Sequence, residues 1–185
     1  LSRDALQVHL QLLLGQRLWV EAVEPLQTLI RITPAPERNA AIGSLPGLFA
    51  RNTDKQQAAQ VLERVLQDAM QAPETRAASL AALGRSALAA GDSTRALELA
   101  KQALAHEPTS EAGALLSLEL MGSTPAAESL VHSFLQAAPR NVSMRLIYAR
   151  LLTSTQRYAD AGAVLRDVTR IEPERAAPWL TLGAI

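Results

Sequence analysis

An all-α fold is what this sequence predicts, and three observations carry the prediction. Aromatic residues are only 3% of the chain against 48% apolar residues, most of them alanine and leucine, a palette that favours helices over strands. Apolar residues recur at i, i+3, i+4 and i+7, the spacing of one helix face. Prolines at 108, 139 and 173 cut this pattern into blocks of 31 and 34 residues, so similar helical units follow one another.

The clearest block runs from Ala77 to Pro108. Leu80, Leu83, Gly84, Ala87 and Leu88 share one helix face. Gly91-Asp92 breaks the pattern, with Asp92 or Ser93 placed to accept from the free N–H groups of the next helix. Ala96, Leu97, Ala100, Ala103 and Leu104 then form a second apolar stripe. Gly84 and Ala96 are small where the two helices of such a hairpin would touch, which predicts closely approaching axes.

The order Leu80, Leu83-Gly84, Ala87, Ala96, Ala100, Ala103 and Pro108 resembles the tetratricopeptide repeat (TPR), a helix-turn-helix of about 34 residues. Trp179-Leu180-Thr181-Leu182-Gly183 carries the W-x-x-L-G signature of the same family, with Pro178 in the first turn of its helix.

The other blocks follow in order. Residues 3–34 give a hairpin with Leu6, Leu10, Leu13 and Leu14 on its first helix and Gly15-Gln16-Arg17 as the turn. Trp19, Ala22, Val23, Leu26, Leu29 and Ile30 are expected on its second helix, bent at Pro25, where a proline inside a helix removes a hydrogen bond. Residues 36–71 are less faithful. Ala40, Ala41, Leu45, Leu48 and Phe49 keep helical spacing, Pro46-Gly47 is either a kink or a true break, and Asn52-Thr53-Asp54 signals a turn. A longer helix through Ala58, Val61, Leu62, Val65, Leu66, Ala69 and Met70 follows. After residues 74–108, residues 109–139 form a unit three residues short, the deficit expected in the Met121–Thr124 turn, with Thr124 as a hydroxyl cap before Pro125. Residues 140–173 return to register with Met144, Tyr148, Leu151 and Leu152, then Leu165, Val168 and Ile171. Residues 175–185 open a further unit.

The expected architecture is therefore a right-handed α-solenoid of about five stacked hairpins plus a partial one, a single segment of a longer protein. Net charge is +0 and pI about 7.1, which gives no field for nucleic acid. No apolar run reaches the ~18–20 residues that cross a bilayer. Cysteine is absent, which removes disulfides, thiolate nucleophiles and Cys-based zinc sites. Among 18 basic residues only Lys55 and Lys101 are lysine, a usage that leans toward a GC-rich bacterial source.

The resemblance implies that the first helix of each unit lines a concave groove for a peptide or partner protein, through its second, fifth, ninth and twelfth positions. Those are Ala78, Ala81, Arg85 and Leu88, then Ser110, Gly113, Ser117 and Leu120, then Ser143, Leu146, Arg150 and Thr153. Family members that clasp an acidic C-terminus place lysine, asparagine and arginine there. This trough is small, apolar and hydroxyl-bearing, which suits a partner helix or extended segment better. Arg85 and Arg150 either pair with a ligand carboxylate or face water.

Catalytic patterns are missing. His9, His106 and His132 lack metal-ligand spacing, no phosphate loop or nucleophile elbow occurs, and Ser93 and Thr124 read as caps. No cofactor is expected, and no enzyme activity. Glu21/Glu24 and Glu172/Glu174 read as solvated charges, and Asn141-Val142-Ser143, though a glycosylation sequon, as a turn between units. Trp19 and Trp179 read as packing residues. The expected function is a non-catalytic scaffold or adaptor for a protease or an assembly or secretion system, in style like bacterial cell-envelope TPR proteins of the periplasm or outer membrane, with the cytoplasm the other compartment the sequence allows. The alternative is the docking arm of an enzyme whose catalytic domain lies elsewhere. Homo-oligomers are compatible with either.

Overall fold

The computed structural model describes residues 2–50 and 53–184, and the elements there are helices without a strand. They are α1 (Arg3–Gly15), α2 (Val23–Ile32), α3 (Ala35–Phe49), α4 (Lys55–Ala69), α5 (Pro73–Ala89), α6 (Ser93–His106), α7 (Glu111–Leu120), α8 (Glu128–Ala137), α9 (Val142–Ser154), α10 (Tyr158–Ile171) and α11 (Ala176–Ala184). Consecutive helices pair as antiparallel hairpins, and the hairpins stack in two layers. The odd-numbered helices α3, α5, α7 and α9 pack one against the next, and the even-numbered ones α2 with α4 and α6 with α8. This is the solenoid the repeats predict: five hairpins and an opening helix among the described residues.

Short polar side chains start many of the helices. The side chains of Ser2, Asp54, Asp92, Ser110 and Asn141 accept from backbone N–H groups of Ala5, Gln57, Arg95, Gly113 and Met144 in the first turn that follows. Three hairpin turns close alike. Arg17, Gly91 and Gln156 adopt positive φ of 61°, 85° and 62°. The next residue then donates back into the helix, Leu18 to Leu13, Asp92 to Ala87 and Arg157 to Leu152, at 2.8–2.9 Å. This wrapped ending satisfies carbonyls that the helix itself leaves open.

Several expectations change. Trp19 and Ala22 lie in the turn before α2, not on it, so Pro25 falls in the first turn of the helix, where its missing N–H is not needed. Trp19 is buried against Phe49, ring centroids 5.3 Å apart. Pro46-Gly47 does not break its helix, because α3 runs on to Phe49. Asn52 of the expected turn lies outside the described residues, as does Ile185. Thr124 makes no side-chain cap. Pro125–Ala127 form a single 3-10 turn and α8 begins only at Glu128. The short unit thus saves length in its helices, 10 residues each in α7 and α8, and not in its turn.

The core is a chain of linked clusters between neighbouring hairpins. One joins Leu10, Trp19, Leu26, Ile42, Phe49, Leu66 and Ala82; a second joins Ala81, Ala96, Ala100, Leu116 and Leu120; a third joins Leu104, Val131, Phe134, Tyr148 and Leu152. Helix α5 sits where the first two meet and is buried on nearly every side, which explains its run of alanines.

Gly84 is the tightest point. A Cβ there would lie 2.2 Å from Leu116 Cδ2 and 3.5 Å from the carbonyl oxygen of Ala96. Its smallness therefore serves the stack against α7 even more than its own hairpin.

Candidate functional site

The odd-numbered helices carry the residues assigned to the groove, and the stack treats them unequally. In the middle, α3, α5 and α7 pack directly. Ala78, Ala81, Ser110, Gly113, Ser117 and Leu120 are consequently buried inside the stack. Leu88 is half-buried. Arg85 is engaged from within, its Nε donating to both carboxylate oxygens of Glu119 on α7 at 3.1 Å.

At the C-terminal end the layer opens. α11 packs on α10, and between it and α9 lies an apolar cleft of about 330 Å³. Leu146, Arg150 and Thr153 line it, together with Ala149, Leu165 and Pro178. Leu146, Ala149, Arg150 and Thr153 follow the i, i+3, i+4, i+7 spacing, so one face of α9 forms the wall. Pro178 is fully buried and locks α11 against its neighbours. Ser143 is exposed on α9. The structure thus brings together three of the twelve assigned residues; Ala149, Leu165 and Pro178 complete the cleft. The spacing from Leu146 could have given Ala149, but the contributions of α10 and α11 depend on how the hairpins stack.

Charge in this cleft is concentrated in one group. Thr153, Ser154 and Thr181 hydroxyls donate to carbonyls of their own helices, Ala149, Leu151 and Ala177, at 2.8–3.0 Å. Arg150 is exposed and has no hydrogen bond or ion pair among the described residues.

A comparable cleft of about 420 Å³ lies at the other end, between α1 and α3 over α2, lined by Leu10, Leu14, Leu29, Leu45 and Leu48 with Arg3 at its rim. Arg3 is held by Glu37 at 2.6 Å.

On the opposite side of α9 lies a polar network that sequence reading missed. Tyr148, buried, donates its hydroxyl proton to Glu128 Oε1 at 2.5 Å and lies 2.9 Å from His132 Nε2. Arg157 reaches Glu128 at 2.8 Å and Asp160 at 2.6 Å. The Arg157 hydrogen bond, working against burial, holds the Glu128 carboxyl below its usual range. Burial, then the Glu128 carboxylate, pushes the Tyr148 phenol up. Both shifts fix the resting protonation forms more firmly, the reverse of what proton exchange near neutral pH requires. His106 Nε2 lies 2.9 Å from the carbonyl of Pro73, His9 is solvent-exposed, and no group of three metal-ligating side chains occurs among the described residues. Trp179 is half-exposed, its Nε1 donating to the carbonyl of Pro173 at 3.1 Å.

Two layers of stacked hairpins, with an apolar cleft at the C-terminal end, define a helical-repeat protein. The family model for the tetratricopeptide repeat matches residues 81–120 and 121–176, just over half of the chain, and the chain belongs to that family. Comparison with curated proteins gives no match. Among solved structures the chain is similar to the MamA protein, at 11% identity over 94% of this chain and 93% of that one, with a TM-score of 0.50. It is also similar to the TPR-like repeats of a putative kinesin light chain from Podosopora anserina, at 20% identity over 92% and 95%, with a TM-score of 0.51. These likenesses concern the fold. No described helix is long and apolar enough to cross a membrane.

Proposed function

We propose that this chain is a non-catalytic scaffold that holds a helix or extended segment of a partner protein on its odd-helix face, in the cleft between α9 and α11. The observation that carries this reading is the cleft at Leu146, Ala149 and Thr153, where apolar surface and the unpaired Arg150 guanidinium lie side by side. Of the wider groove, the central residues Ala78, Ala81, Gly113 and Ser117 act as spacers that keep the stack closed, and Arg85 acts as a strut. The units run over 3–34, 36–71, 74–108, 109–139, 140–173 and 175–185. The reading includes an adaptor role in a bacterial envelope; the arginine-over-lysine usage fits the bacterial source, and the near-zero net charge argues for protein over nucleic acid as the partner.

The test is affinity capture from a lysate of the source organism with mass spectrometry, comparing the native chain with Thr153→Trp, which fills the cleft from a half-buried position. The variant should lose specific partners while keeping its helical circular dichroism. Recovery of the same partners by a folded Thr153→Trp chain would remove the cleft from the function.

A further inference from the structure

We infer that the cleft between α1 and α3 is a second binding site, independent of the one beside α9, and that it takes the unbranched acyl chain of a lipid, with an uncharged head group at Gln7 and Gln11.

The cleft, of about 420 Å³, has its walls on α1 and α3 and its floor on α2, and this volume is in the range of small-molecule sites. Its apolar lining is leucine, isoleucine and alanine, without an aromatic ring. Leu14, Leu29 and Leu48, one from each helix, are only half-buried, so apolar surface meets the gap from three sides. Along α1 the lining runs from Arg3 to Leu14, roughly 16 Å at the helical rise, which makes the space elongated. Arg3 and Glu37 join α1 to α3 across one end at 2.6 Å.

The polar groups around the cleft decide its occupant. The Arg3 guanidinium is answered by Glu37. The Thr33 and Ser44 hydroxyls donate to the carbonyls of Leu29 and Ala41 at 2.6 and 2.7 Å. There remain Gln7 and Gln11, at i and i+4 on α1, both exposed and without a hydrogen-bond partner among the described residues. A charged head group would find no unpaired opposite charge here, whereas an ester carbonyl or a hydroxyl can pair with a glutamine amide. An extended peptide would carry an N–H and a C=O at every residue into a lining with almost no free partner for them. A hydrocarbon chain brings none, and each methylene it buries adds to binding.

The test titrates the full chain by calorimetry with 1-monoacylglycerols of about six to about twelve carbons, kept below their micelle concentrations. Binding should be one to one, tightening up to about fourfold for each added methylene and levelling off once the cleft is full. The ionised fatty acid of matching length should bind roughly tenfold more weakly. Ser44→Trp, a change at an exposed lining position, should abolish binding with the helical circular dichroism intact, and Thr153→Trp should leave binding unchanged. With methyl-labelled leucine in the native chain, the Leu14, Leu29 and Leu48 signals should shift on titration. Absence of binding, binding that ignores chain length, shifts at other leucines instead, persistence in folded Ser44→Trp, or loss in Thr153→Trp would each overturn the site while leaving the α9 reading to its own test. A fatty acid that binds as tightly as its ester overturns the uncharged head group. An acylated peptide that binds far more tightly than the glyceride overturns the lipid in favour of a lipid-modified protein.

Discussion

Gly84 shows what a single hydrogen atom does in this stack. With Leu116 fully buried, a methyl group at Gly84 has nowhere to go. Gly84→Ala should cost roughly 1–3 kcal/mol by overpacking. Leu116→Ala in the same chain should recover part of that loss, an interaction that a double-mutant cycle of melting curves would measure. Additive effects would mean the two residues do not meet. Gly91 works differently, since a Cβ there meets nothing within 4 Å and its φ of 85° is the whole constraint. Gly91→Ala should therefore cost about 1–2 kcal/mol through backbone strain alone. The sequence placed Gly84 against Ala96 of its own hairpin, and the Ala96 carbonyl oxygen does lie 3.5 Å from a Cβ there. It did not show the tighter contact with Leu116, which lies on a helix that only the stacking of hairpins brings near.

Between elements, the Glu128 network ties α8 to α9 and α10. Glu128 has a folded pKa below its ordinary 4.5, so its contribution to stability is present above that pH and is lost as pH falls toward the folded value. Glu128→Gln should lower the melting temperature at neutral pH, by about 1–3 kcal/mol of stability from charge-assisted hydrogen bonds. It should also flatten the drop in melting temperature expected of the native chain as pH falls below about 4.5. An equal drop in both chains would show that Glu128 does not carry the acid sensitivity. Helix positions were mostly legible from apolar spacing and from the turn signals at Asp54, Asp92 and Asn141, whereas Ser110, read as a groove residue, caps α7. Two helix starts were not. The apolar pattern at Trp19 and Ala22 continues into a turn that buries them equally well, and Thr124 has the chemistry of a cap but precedes a 3-10 turn. The charge pairs were hidden for another reason: Arg85 and Glu119 are 34 residues apart, and local pattern cannot join them.

For the whole molecule, contacts run between adjacent hairpins, so stability is distributed along the stack. Helix α5, packed against α3, α4, α6 and α7, should exchange its amide protons slowest, and α1 and α11 fastest. Hydrogen-exchange mass spectrometry would show this as a gradient from the centre outward. Uniform protection from α1 to α11 would instead indicate one cooperative unit. The overall architecture was legible because proline spacing and W-x-x-L-G are properties of the line of sequence. The groove was only partly so, because whether neighbouring odd-numbered helices close or part is decided by their mutual packing.

The notch at Gly84 and the side chain that fills it belong to successive repeats, so those two repeats are lock and key and not interchangeable bricks. Anyone lengthening the array by duplicating residues 109–139 would set the buried Leu116 of the copy against a repeat whose corresponding first-helix surface was never hollowed out for it. Grafting the third and fourth repeats together, as one cassette, avoids the collision.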